Sequence, residues 1–136
     1  MSNSIFSHVT LGSNDIQKSA VFYDAVMPVL GLERIPKPAG KPPAYARPEA
    51  EGDGFELPYI YIYSPFNGEP ASIGNGSHLA LQAGTIEQVQ AFYTAALKQG
   101  GSDEGAPGIR DNYADNYYAA YVRDPDGNKL QVVCYL

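Results

Sequence analysis

Two histidines, His8 and His78, are the only ones in the chain, and each stands in the same local setting: "SHVTL" and "SHLAL". Imidazole is the commonest side-chain metal ligand, so two rings in equivalent settings are candidates for half of a divalent-metal shell. Such a shell needs one or two further donors. A second polar group draws notice in "YVRDPDGNKLQVVCYL", where Gln131 interrupts an otherwise apolar Leu130, Val132, Val133 and Cys134. Tyrosines are plentiful, eleven in all, with a cluster at "YIYIY" around Tyr61.

These groups matter only if the chain positions them together, and a repeat says how it does so. Shifted by 70 positions, "SHVTLGSNDIQKSAVFYDAVMPVLG" lies over "SHLALQAGTIEQVQAFYTAALKQGG". Eight pairs are identical: Ser7/Ser77, His8/His78, Leu11/Leu81, Ile16/Ile86, Phe22/Phe92, Tyr23/Tyr93, Ala25/Ala95 and Gly31/Gly101. The offset exceeds a solenoid period and marks a duplicated module. One domain of residues 1–136 is expected, built from repeats of about 1–70 and 71–136.

Each repeat opens with a short strand, at 5–11 and 77–83, and continues into a helix, at about 15–30 and 86–99. Asp15 and Thr85 are the N-caps, Thr85 with Gln88 reading as a capping box. Gly31 and Gly100-Gly101 end the helices. Strands follow near 32–36, 43–47 and 57–63, then near 102–104, 117–123 and 128–135. The proline-rich "IPKPAGKPPAYARPEAEGDG" is mostly surface connection around one short strand. The fold class is α+β: two βαβββ modules forming a curved, incompletely closed barrel.

Strand alternation assigns faces. Val9, Leu11, Leu79, Leu81, Leu130, Val132 and Cys134 suit packing under the helices, which leaves His8, His78 and Gln131 on the opposite, concave side. Asp124-Pro125-Asp126-Gly127 fits a type I turn with a glycine bulge, which closes on Asn128 and sets Tyr121 across from Gln131. The repeat carries Gln131 back onto Tyr61.

With "SHVTL…FYDAVMPVLGLERI", "GSHLAL…FYTAALKQGG" and "AYVRDPDGNKLQVV" in hand, the chain resembles the vicinal oxygen chelate superfamily. That superfamily includes glyoxalase I, fosfomycin- and bleomycin-resistance proteins, methylmalonyl-CoA epimerase and extradiol dioxygenases. The resemblance covers nearly the whole chain, and "GAPGIRDNYADNYYAAYVRDPDGN" is closest to a small bacterial glyoxalase-like branch. It implies that a metal would be held by His8, His78 and the residue at 131, where such proteins carry glutamate and this chain carries Gln131. Tyr121 corresponds to an active-site tyrosine of fosfomycin-resistance proteins, and a further ligand position of glyoxalase I falls near Tyr61, with Glu56 and Glu69 flanking. Glutamine can ligate through its carbonyl, but it is neutral and cannot serve as a general base. Nickel, zinc, manganese or iron would therefore be held weakly or not at all.

Two functions follow from this resemblance. One is a metal-dependent lyase, isomerase or dioxygenase acting on a small oxygen-chelating substrate, with the base supplied from elsewhere. The other is a metal-free protein that sequesters a small molecule, as in bleomycin resistance. In that case Phe6, Tyr59, Tyr61, Tyr63, Tyr117 and Tyr121 would line the cavity, and Arg110 or Arg47 would meet an anionic group.

Composition trims the remaining classes. A formal net charge of −6, with nine Lys and Arg scattered along the chain, argues against nucleic acid. No apolar run is long enough to span a membrane, and the opening residues lack a signal-peptide pattern. The single cysteine, Cys134, reads as a buried strand residue compatible with a reducing cytoplasm. Superfamily chains of this length imply a homodimer with a small-molecule ligand or substrate.

Overall fold

The computed structural model describes residues 3–136. The first module comprises β1 (His8–Gly12), α1 (Ile16–Val26) with a 3-10 turn over Met27–Leu30, β2 (Glu33–Arg34), β3 (Ala44–Pro48) and β4 (Phe55–Tyr63). The second comprises β5 (Leu79–Gln82), α2 (Ile86–Lys98), β6 (Ser102–Ile109), β7 (Tyr117–Arg123) and β8 (Lys129–Tyr135). Both modules order their strands alike, β1-β4-β3-β2 and β5-β8-β7-β6, as a duplication requires. In each the first strand runs parallel to the last and the other pairings are antiparallel. The two four-stranded sheets do not close into a barrel.

The helices begin where their caps place them. Asp15 accepts from the Lys18 amide at 3.1 Å, and Thr85 accepts from the Gln88 amide at 3.1 Å. The Gln88 side chain reaches back to the Gly84 amide, one residue before the cap, so the capping box is offset by one position. α1 is shorter than its periodicity suggests, because Pro28 cannot donate to the helical ladder and the last turn tightens to 3-10. Gly31 closes it at φ +79°, a left-handed cap that a Cβ would strain.

Two expected boundaries shift. β1 starts at His8, so Ile5 and Phe6 lie outside the sheet and are exposed. β6 extends to Ile109, well past the expected 104, although its run Gly105-Ala106-Pro107-Gly108 has poor strand propensity. Irregularities in its pairing with β7 absorb those residues, which gives this sheet a bent edge.

One core holds the modules together. Phe22, Tyr23, Val26 and Met27 of the first module join Val89, Phe92, Leu130 and Val132 of the second, with α1 packed on α2. Most of the expected helix-side set occupies this cluster: Leu130, Val132 and Cys134 are buried in it, and Leu11, Leu79 and Leu81 pack against it, whereas Val9 lines a crevice with His78 instead. A polar clasp adds to the packing. Asp126, in the β7–β8 turn, accepts from the Asn14 amide at 2.7 Å and from the Ser19 hydroxyl at 2.7 Å. Asn128 donates to the Gly12 carbonyl at 2.9 Å, and the buried Tyr23 hydroxyl donates to Asp124 at 2.5 Å.

Candidate functional site

The β7–β8 hairpin forms as its turn residues dictate. Gly127 donates to the Asp124 carbonyl at 2.9 Å with φ +93°, and the Asp124 amide donates to the Asn128 carbonyl at 2.9 Å. This register sets Tyr121 opposite Gln131 and Tyr117 opposite Tyr135. Tyr117, Ala119 and Tyr121 therefore share a face with Gln131 and Val133, away from the helices. On that face Ala119, Gln131 and Val133 are buried, while Tyr117 and Tyr121 stand half-exposed around them.

Gln131 is 2% exposed, and both ends of its amide are engaged. The carbonyl oxygen lies 3.1 Å from His78 Nε2, and the amide nitrogen donates to the Tyr117 hydroxyl. A buried primary amide without partners would cost about 1–3 kcal/mol, so these contacts account for its place in an apolar strand. A hydrogen bond between His78 Nε2 and the Gln131 carbonyl requires the tautomer whose Nε2 carries the proton. The ring of His78 meets Tyr121 edge-on at 6.1 Å.

Tyr121 is the centre of this face. The Arg110 guanidinium lies 5.6 Å and the Lys129 ammonium 5.3 Å from its ring centroid. Burial, with Tyr113 and Tyr117 beside it, pushes the Tyr121 phenol up to about 12, against a smaller opposing effect of Arg110. It is a neutral hydrogen-bonding group at physiological pH.

The first sheet presents the matching face. His8 and Tyr59 are neighbours in register, as are Thr10 and Tyr61. The His8 ring meets Tyr61 edge-on at 5.1 Å, and Tyr61 in turn touches Tyr59 and Tyr63. His8 Nδ1 lies 3.0 Å from the Ser7 hydroxyl. The 35–43 connection passes over this face and sets the Lys37 ammonium 4.7 Å above the Tyr61 ring. Burial and the flanking tyrosines raise the Tyr61 phenol. A cavity of about 400 Å³ opens at the far end of the strands, lined by Thr10, Gly12, Tyr63 and the 64–72 connection.

Of the residues singled out from sequence, His78, Gln131, Tyr117, Tyr121 and Arg110 gather on the second sheet. His8 and Tyr61 gather on the first. Phe6 belongs to neither sheet. Glu56 lies opposite Arg47 on β3, beside a cavity of about 350 Å³ at the start of β4, and Glu69 is exposed in the inter-module connection. Lys37 and Lys129 are site residues that sequence reasoning missed. Lys129 sits at the position just before Leu130, and the hairpin register that placed Tyr121 could have found it.

The donor set suits a divalent ion poorly. Neither the histidines nor Gln131 can supply an anion, and His78 Nε2 and Gln131 Oε1 face each other across a hydrogen bond. Among the described residues no group of three His, Cys, Asp or Glu is placed to hold a metal.

The family comparisons agree with this architecture. The sequence profile of the Glyoxalase/Bleomycin resistance protein/Dioxygenase superfamily matches residues 5–132. A glyoxalase/bleomycin resistance protein from Albidiferax ferrireducens T118 is 38% identical with a TM-score of 0.78, the match covering 98% of this chain and all of that one. A glyoxalase-related enzyme from Fulvimarina pelagi is 18% identical with a TM-score of 0.67, covering 98% and 88% of the two chains. Lactoylglutathione lyase from Agrobacterium tumefaciens is 20% identical with a TM-score of 0.60, covering 98% and 95%. No curated protein matches the chain. The profile over nearly the full length and the 38% identical structure place the chain in the Glyoxalase/Bleomycin resistance protein/Dioxygenase superfamily.

Proposed function

We propose that the protein binds a small organic molecule on the tyrosine-rich face of its second sheet, beside the crevice bordered by His78 and Lys129, and that this binding does not depend on a metal. The observation that carries the reading is Gln131. It stands where a carboxylate would anchor a cation, and its amide is instead spent on His78 and Tyr117. Metal entry would have to displace the proton shared by His78 Nε2 and Gln131 Oε1 and would gain no anion in return. The walls offer rings to stack on and phenols to donate from, the usual makeup of a small-molecule site. Tyr121 and Tyr117 supply the contact area, and His78 faces Gln131 through Nε2.

The alternative is a metal-dependent lyase, isomerase or dioxygenase, and the two repeat-related histidines favour it. Metal analysis separates the readings. After incubation with nickel, zinc, manganese or iron, the expected content is far below one ion per chain and insensitive to His8→Ala. Stoichiometric metal, lost in both His8→Ala and His78→Ala, would establish the enzymatic reading instead. The working unit under either reading is a homodimer, because each sheet ends in unpaired edge strands and large apolar side chains such as Phe66 are exposed.

A further inference from the structure

The second sheet carries two cations that no carboxylate neutralises, and they share one aromatic ring. Arg110 and Lys129 come from different elements, the residue after β6 and the first of β8, yet both lie against Tyr121. Neither takes part in an ion pair among the described residues. Glu104, on the neighbouring stretch of β6, is bound to Arg123 at 2.5 Å. In a chain of net charge −6, two unpaired cations converging on one point call for an anion that the protein does not supply.

Arg110 is held in place. It donates to the Ala106 carbonyl at 2.6 Å, and its guanidinium runs along Gly105 and Gly108. A Cβ at either glycine would come within about 3.2 Å of an Arg110 nitrogen, so the absence of side chains there lets the guanidinium lie flat. Lys129 and His78 also border a crevice of about 170 Å³ with Val9, Leu11 and Leu79 on its apolar walls. That volume admits a compact apolar group and no large ligand.

We infer that Arg110 and Lys129 form a carboxylate-binding subsite on Tyr121, and that the ligand is a small organic carboxylate whose apolar body enters the adjoining crevice. This rests on the reading of the second sheet as a ligand site and names the class of molecule it takes. A fixed guanidinium offers paired N–H donors that match a carboxylate, and the lysine adds a movable second charge. The Tyr121 ring attracts both cations by cation–π interaction.

Benzoate and its neutral counterpart benzamide test this by titration into the full-length protein, followed by amide NMR. Benzoate should bind at least tenfold more tightly than benzamide, shift the Gly105, Gly108 and Tyr121 amides, and weaken steeply with added salt. Lys129→Gln, which removes no hydrogen bond of the fold, should lower benzoate affinity about tenfold and leave benzamide unchanged. Arg110→Lys should do the same while keeping the charge, because the paired donors are lost. Inorganic phosphate should compete only weakly. Equal binding of benzoate and benzamide, or benzoate affinity unaltered by Lys129→Gln, would overturn the carboxylate subsite and leave the tyrosine-rich face itself as a ligand site. Absence of binding by both probes would overturn both.

Discussion

At the scale of single residues, Gln131 decides the chemistry. Its burial demands that both ends of the amide be satisfied, and His78 and Tyr117 do this from opposite sides. Replacement by leucine should remove the bonds to the Tyr117 hydroxyl and His78 Nε2, both within reach of water, and destabilise the chain by about 1 kcal/mol, read as a lower urea midpoint at unchanged slope. Gln131→Glu is the more informative change. A carboxylate beside His78 adds the missing anion, and affinity for nickel or zinc should rise about 10–100-fold in a competition titration with a chelator, the range seen when a ligand environment is altered. Unchanged affinity would mean that position 131 does not face the histidines' metal. The sequence could show that an amide stood in an apolar strand and which face it took. It could not show the two bonds, because those depend on side-chain rotamers set by the curvature of β7 and on the length of Tyr117.

At the scale of elements, the β7–β8 turn does more than connect two strands. Its Asp124 carboxylate collects the Tyr23 hydroxyl, the Asp126 and Asn128 amides and the Asn128 side chain, while Asp126 holds the start of α1 through Asn14 and Ser19. "DPDGN" therefore reads on two levels. Its turn chemistry was plain from Pro125 and Gly127, but its role as a clasp between modules was not, since the partners lie more than 100 positions away. Asp126→Ala should cost about 2 kcal/mol, and combining it with Ser19→Ala should cost less than the sum of the two. Asp124 supplies a pH test. Burial pushes its carboxyl above the usual value, a shift only partly offset by the bonds from Tyr23 and Asn128. A carboxyl raised in the folded state holds its proton more firmly there than when unfolded. Its contribution is then complete below the ordinary value of about 3.9 and is lost as pH rises through the raised one. Asp124→Asn should remove that decline, so the stability difference between variant and parent should change with pH across this window. A pH-independent difference would show that Asp124 titrates normally in the fold.

At the scale of the whole molecule, duplication explains both what the sequence discloses and what it hides. Strand order, helix positions and the common core follow from two copies of one pattern, because apolar periodicity is repeated at the same offset. What lies between the copies follows from no local pattern, and β6 was misjudged for a related reason: its glycines carry no periodicity, yet pairing with β7 makes them a strand. The same logic leaves β1 and β5 as edge strands, with His8 on the first sheet and His78 on the second. A chain that exposes Phe66 completely, with Ile5 and Phe6 also largely in solvent, has apolar surface to cover. Pairing with a second copy would cover it and protect the open edges at the same time. Sedimentation equilibrium should give twice the chain mass at micromolar concentration, and Phe66→Asp should shift the population toward monomer. Hydrogen exchange makes the assignment local: amides of β1 and β5 should gain protection as protein concentration rises, whereas those of β7 and β8, already paired within the chain, should not change. A monomer at all concentrations, or protection that appears elsewhere, would show that the edges meet solvent and that each chain holds its ligand alone.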